Sequence, residues 1–239
     1  MAAQLHPLTL VLTRPDRQSR RFAAELGLDL PVEIAPVMEI VLSEVGPPGD
    51  ATGVIFTSEN GVRAAVASGL QAGVAHCVGA NTARAAREAG FEVRQTGRTA
   101  DELVAALVAA DEVTGPLLHL SGEHTRGEVA GRLSAAGVPT EARVVYRQDE
   151  RPLPRALVAR LQAGAPVLLP LFSPRSAALV SAQVGHAPGA AVICLSDAVR
   201  AACTLAAETV ETCPAPTGDA MREALYRRAA AKALEGPKA

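Results

Sequence analysis

Two short segments carry residue types suited to holding an anion. Ile55-Phe56-Thr57-Ser58-Glu59-Asn60-Gly61-Val62 runs from an apolar strand into a polar turn and then a helical pattern. Leu171-Phe172-Ser173-Pro174-Arg175-Ser176-Ala177-Ala178 repeats that layout. A hydroxyl at such a turn caps a helix by accepting from a free backbone N–H. The same helix start offers N–H donors and a partial positive charge, which suits a carboxylate or a phosphate. Further turns of this kind are Thr13-Arg14-Pro15-Asp16, Gly79-Ala80-Asn81-Thr82, Ser121-Gly122-Glu123-His124-Thr125 and Ser196-Asp197. Arg14, Arg17, Arg63, Arg126 and Arg175 lie in or just beyond these turns and add pairing charge. Each hydroxyl alone is accounted for by capping; the set suits a ligand with several separated anionic groups. Tyr146 is one of only two tyrosines. Its phenol can donate or accept a proton, and it reads equally as a linker residue packing its ring with its hydroxyl in water.

Other chemistries lack their signatures. No G-x-G-x-x-G follows the first strand, and there is no G-x-x-x-x-G-K-[ST] or G-x-S-x-G. Thr99-Ala100-Asp101-Glu102 fits a capping box, so its carboxylates read as structural. Cys77, Cys194, Cys203 and Cys213 match no zinc or redox spacing and read as buried apolar thiols. His6, His76, His119, His124 and His186 form no i, i+3 or i, i+4 pair, so no metal site is expected.

The elements that would position these turns alternate regularly. Apolar runs at 8–13, 53–58, 75–79 and 116–121 each lead into alanine-rich helical stretches, at about 17–27, 60–68, 80–89 and 125–136. Gly27, Gly90 and Gly137 stand where helix C-caps are needed. Strands buried on both faces read as continuous apolar runs, so the class is α/β with parallel sheets.

The chain also echoes itself. HCVGANTARAA (76–86) matches ICLSDAVRAAC (193–203), and TADELVAAL (99–107) matches TGDAMREAL (217–225). LVLTRPDRQSRRFAAEL (10–26) matches LLHLSGEHTRGEVAGRL (117–133), first in one half and last in the other. This permuted duplication predicts two similar parallel-sheet domains. Domain A comprises 1–36 and 149–239, and domain B comprises 37–148. Two linker strands, about 36–41 and 142–148, would pair as a β ladder and hinge the domains around a cleft holding the active site.

Bulk composition narrows the partners. A net charge of −2 and 3% aromatic residues without tryptophan argue against nucleic acid. No apolar run reaches membrane-spanning length and the N-terminus lacks a basic n-region, so a cytoplasmic protein is expected. The rival to an enzyme is a non-catalytic two-lobed binding protein for an anionic small molecule.

In order and spacing, LTRP (12–15), IFTSENGVRA (55–64), VGANTARAAREAGF (78–91), HLSGE (119–123), RVVYR (143–147), FSPRSA (172–177) and LSDAV (195–199) resemble the uroporphyrinogen-III synthase family in its divergent bacterial form. The resemblance implies a cofactor-free, metal-free lyase of porphyrin and heme biosynthesis, acting as a monomer. Its substrate would be hydroxymethylbilane, a linear tetrapyrrole with acetate and propionate arms, received from hydroxymethylbilane synthase. The reaction would lose the terminal hydroxyl as water and close the ring through a spiro intermediate, inverting the last pyrrole. The implied binding residues are Thr57, Ser58, Asn60, Gly79, Thr82, Ser121, Gly122, Ser173, Arg175 and Ser176, to which the turn arginine Arg14 is added. Tyr146 takes the place of the family's linker tyrosine, which assists departure of the hydroxyl. Ser196-Asp197-Ala198-Val199 departs from the family's Gly-x-Thr-Thr type turn, and Asp197 would repel carboxylates.

Overall fold

Apolar runs too short for helices become the strands of two parallel sheets. The computed structural model describes residues 7–70, 73–110, 113, 115–124 and 127–235. His6, Thr125 and Arg126 lie outside the described residues. The chain opens with β1 (Thr9–Leu12), α1 (Asp16–Leu26) and β2 (Val32–Ile34), then enters β3 (Met38–Leu42). Next come β4 (Gly53–Phe56), α2 (Glu59–Ala67), β5 (Val74–Val78), α3 (Ala80–Glu88) and β6 (Glu92–Gly97). These are followed by α4 (Ala100–Val108), β7 (Leu117–Gly122), α5 (Val129–Ala135) and β8 (Thr140–Glu150). The remainder holds α6 (Arg155–Gln162), β9 (Val167–Leu171), α7 (Pro174–Val184) and β10 (His186–Cys194). It ends with α8 (Asp197–Ala202), β11 (Ala206–Thr212) and α9 (Gly218–Glu235).

The chain divides into two compact units, one formed by residues up to Glu39 with those from Glu150 onward, the other by Ile40–Asp149. The first holds a sheet ordered β11-β10-β9-β1-β2 and the second a sheet ordered β6-β5-β4-β7-β8-β3. Strands β11, β10, β9, β1 and β2 are parallel, as are β6, β5, β4, β7 and β8. The sequence echoes equate β4 with β9, β5 with β10 and β7 with β1, and these strands occupy the same places in the two orders. The permuted repeat is therefore a repeat of topology. The unit boundaries fall within β3 and β8, which lie side by side. Ser43 N donates to Val145 O and Arg151 N to Val37 O, so partner numbers fall as residue numbers rise and the pair is antiparallel.

Both faces of each sheet are covered, which explains the apolar runs. In the first unit Leu10 and Leu12 face Phe22 and Leu26 of α1 and Met221 and Leu225 of α9. Val11, Leu169 and Leu171 face Leu157 and Leu161 of α6 and Val180 and Val184 of α7. In the second unit Val54 and Phe56 pack on α2 and α3, and Ile55 packs on Leu103 and Leu107 of α4 and Leu133 of α5. Full burial of such side chains stabilises by about 1.5–3 kcal/mol each. Among the described residues no helix is long and apolar enough to cross a membrane.

Local signals hold at most helix ends. Gly27, Gly90 and Gly137 have φ of 64°, 89° and 89°. Thr99 accepts from Glu102 N at 3.2 Å, while the Glu102 carboxylate accepts from Arg98 N rather than from Thr99 N. The helix expected over 125–136 begins instead at Val129. Gly127 (φ 89°) and Glu128 (φ 44°) are both left-handed and cannot continue a right-handed helix.

Two buried histidines flank Ile55 in one row across the second sheet, His76 on β5 and His119 on β7. Burial lowers the His119 imidazole from its ordinary 6.5 to about 4. His76 is lowered too, by burial first and by the Arg94 charge second. Between these values the unfolded chain binds a proton that the folded chain refuses, so stability is lost as pH falls from about 6.5 through about 4. The His119 contribution to that loss is up to about 3 kcal/mol. Urea denaturation at pH 7 and pH 4.5 should show His119→Leu losing less stability on acidification than the parent chain, by about 2 kcal/mol.

Candidate functional site

In the second unit the carboxyl ends of β8, β7, β4 and β5 follow one another along one sheet edge. β4 delivers Thr57, whose Oγ1 lies 3.2 Å from His119 Nε2. The next residue, Ser58, caps α2 from an extended backbone (φ −155°, ψ 145°) and accepts from Asn60 N at 3.1 Å. Asn60 is buried, and its Oδ1 accepts from Arg63 at 3.4 Å. β5 delivers Gly79, with φ of 79°, whose N donates to Gly97 O at 2.9 Å. It starts α3 with no side-chain cap, and Thr82 is buried in the first turn of that helix.

β7 and β8 bring Ser121, Gly122 and Tyr146 together. Their register shifts between Ser121, opposite Val144, and Gly122, opposite Tyr146. The Tyr146 ring then lies over Gly122: a Cβ on Gly122 would sit 2.5 Å from Tyr146 Cε2 and 2.6 Å from Cζ. Glycine is required here by close approach, not by φ. Glu123 N donates to Tyr146 O at 3.0 Å and fixes the strand end. Tyr146 is 8% exposed and belongs to the core beside Val145 and Phe56. Its hydroxyl has no hydrogen-bond partner among the described residues. The alternatives left open by the sequence thus merge: the ring is packed structure, and the phenol group is uncommitted.

In the first unit β9 delivers Ser173, which caps α7 from the same extended backbone as Ser58 (φ −144°, ψ 150°). Ser173 Oγ accepts from Ser176 N at 3.2 Å and lies 2.8 Å from Ser176 Oγ, which donates to Ser173 O at 3.0 Å. Both hydroxyls are thereby committed to the turn. Arg175 lies 3.7 Å from the Glu150 carboxylate. Arg14, at the end of neighbouring β1, stacks its guanidinium 4.2 Å from the Phe172 ring centre. Beyond β10, Ser196 precedes α8 without making a side-chain cap, and Asp197 occupies the first turn.

Two buried polar residues at these strand ends lie outside the expected binding set. Thr13 is 1% exposed at the end of β1, and its Oγ1 has no partner among the described residues. His119 holds Thr57 from inside an apolar strand. The available signal was the same for both, a polar side chain inside or closing a run that is otherwise buried.

These contacts set separate expectations. Replacing Ser58 by alanine should cost about 1 kcal/mol of unfolding free energy, and by glycine only a few tenths, measured by urea denaturation. Gly122→Ala should cost about 1–3 kcal/mol through overpacking against Tyr146. In the double variant with Tyr146→Ala the two losses should sum to more than the measured loss, since the pair is in contact.

The family model described as Uroporphyrinogen-III synthase HemD matches residues 31–223. The structure is similar to the uroporphyrinogen-III synthetase from Helicobacter pylori 26695, with 13% sequence identity and a TM-score of 0.66, covering 92% of this chain and 99% of that one. It is also similar to a mutant uroporphyrinogen III synthase from the extremely thermophilic bacterium Thermus thermophilus, with 17% identity and a TM-score of 0.50, covering 92% of this chain and 98% of that one. No curated protein matches.

Proposed function

The chain belongs to the uroporphyrinogen-III synthase family and is a lyase-type enzyme of tetrapyrrole biosynthesis, and we propose that its strand-end turns bind the carboxylate arms of hydroxymethylbilane while the ring closes. The observation carrying this reading of the site is the pair of equivalent caps, Ser58 after β4 and Ser173 after β9. Each caps a helix of at least two turns whose first N–H groups suit an anion. A polycarboxylate is the substrate class that uses such donors at many separated points.

In this proposal Thr57, Ser58, Asn60, Gly79 and Thr82 bind arms from the second unit, with Ser121 and Gly122 beside them. Ser173, Arg175, Ser176 and Arg14 bind arms from the first. The internal bonds of Ser173 and Ser176 favour binding by backbone N–H groups that those hydroxyls aim. Arg175 would exchange its contact with Glu150 for a substrate carboxylate, since that ion pair is long and its acid is largely exposed.

The chemistry then asks little of side chains. Loss of the terminal hydroxyl as water leaves an electrophilic carbon, and holding the folded bilane selects attack with inversion of the last pyrrole. That is catalysis by positioning. Tyr146 assists by donating its proton to the departing hydroxyl, a role open to a phenol without a competing partner.

Freshly generated hydroxymethylbilane, followed by oxidation and chromatographic separation of the uroporphyrin isomers, should yield type III above the spontaneous type I background. Type I alone would overturn catalysis and leave a binding protein. Tyr146→Phe should retain the parent melting temperature and lose kcat by about 10²-fold, the low end for a positioned acid. Unchanged turnover in folded Tyr146→Phe would remove the phenol from the mechanism and leave positioning intact.

A further inference from the structure

We propose that His119 is a positioning residue for substrate binding: its Nε2–H donates to Thr57 Oγ1, leaving the Thr57 proton to donate to a substrate carboxylate. The proposal rests on the reading that Thr57 contacts the substrate. Thr57 is the first residue beyond β4, and its hydroxyl is 3.2 Å from His119 Nε2. Ile55 pairs with His119 in the parallel ladder, so Thr57, two residues on, returns to the face that carries the imidazole. The contact is therefore fixed by register rather than by a mobile side chain. His119 is 4% exposed beside Ile55 in the sheet, and burial alone lowers its proton affinity. The ring is accordingly neutral, with one nitrogen donating and the other accepting.

The direction of the hydrogen bond follows from the ligand. A carboxylate only accepts. If Thr57 gave its proton to Nε2, the hydroxyl would turn only lone pairs toward the substrate and repel it. With Nε2 protonated, Oγ1 accepts from the ring and its own hydrogen points away from it. A buried neutral imidazole thus converts a freely rotating hydroxyl into a fixed donor. A leucine at 119 removes that bias, while a glutamine amide can restore it.

The test is a set of KM measurements with hydroxymethylbilane on folded variants, together with the tautomer of the parent protein. Thr57→Val should raise KM by roughly 3- to 10-fold, the range of one hydrogen bond. His119→Leu should raise it within the same range, the double variant should match Thr57→Val alone, and His119→Gln should return toward the parent value. Nitrogen-15 NMR of labelled imidazole should show His119 protonated at Nε2. An unprotonated Nε2, a parent KM in His119→Leu, or full additivity in the double variant each overturns the positioning role while Thr57→Val still raises KM. A parent KM in Thr57→Val would instead remove Thr57 from the site, and the proposal with it. Because the NMR measurement uses the unaltered chain, it decides the hydrogen-bond direction even if His119→Leu fails to fold.

Discussion

A strand can be followed by a parallel neighbour only after the chain crosses one face of the sheet, and both units are organised by that requirement. Within each sheet every link between consecutive parallel strands carries a helix, so those helices start beyond the carboxyl ends of the strands, on one edge of the sheet. The edge therefore gathers helix starts without any design for ligand binding. The residues placed there are Ser58 and Ser173 as caps, glycine at 79, and Gly122 beneath an aromatic ring. The shared strand order in the two sheets means the same edge is built twice from one plan.

The hydroxyls at that edge mostly satisfy the backbone that bears them. Ser173 and Ser176 bond each other and their own turn, and Ser58 bonds Asn60 N. Thr57 is held by His119, and Thr13 is buried without a partner among the described residues. Turns that consume their side chains in this way fix their own backbone geometry by hydrogen bonds. Tyr146 is likewise held by its packed ring against Gly122.

The sequence exposed those parts of the fold whose physics is strong and local. Runs such as Val54-Ile55-Phe56 and Leu168-Leu169 are apolar throughout because both faces are covered, and the glycines at 27, 90 and 137 mark helix ends by their φ. The edge strands β2 and β11 were obscure, since they are short or only half-buried and carry polar residues. Nothing about a glutamate announces the left-handed backbone of Glu128, so the start of α5 could not be read. Turn residues were legible as caps because capping is a local rule. The Thr57–His119 and Gly122–Tyr146 contacts depend on strand order and register, which no single segment contains.

The permuted order has a consequence for how the chain is made. β1 pairs with β9, and the core of the first unit joins Leu10 to Leu168 and Met221, so that unit needs residues from both ends of the chain. The second unit is closed within Ile40–Asp149. As the polypeptide leaves the ribosome, the unit that begins second is the first to have all its strands, while β1 and β2, which pair with each other, wait for β9. Domains fold as units during synthesis, so the β1–β2 pair waits longest for the strand that joins it to the rest of its sheet. The inserted unit is thus complete in sequence before the flanking unit, which also needs the residues from Glu150 onward.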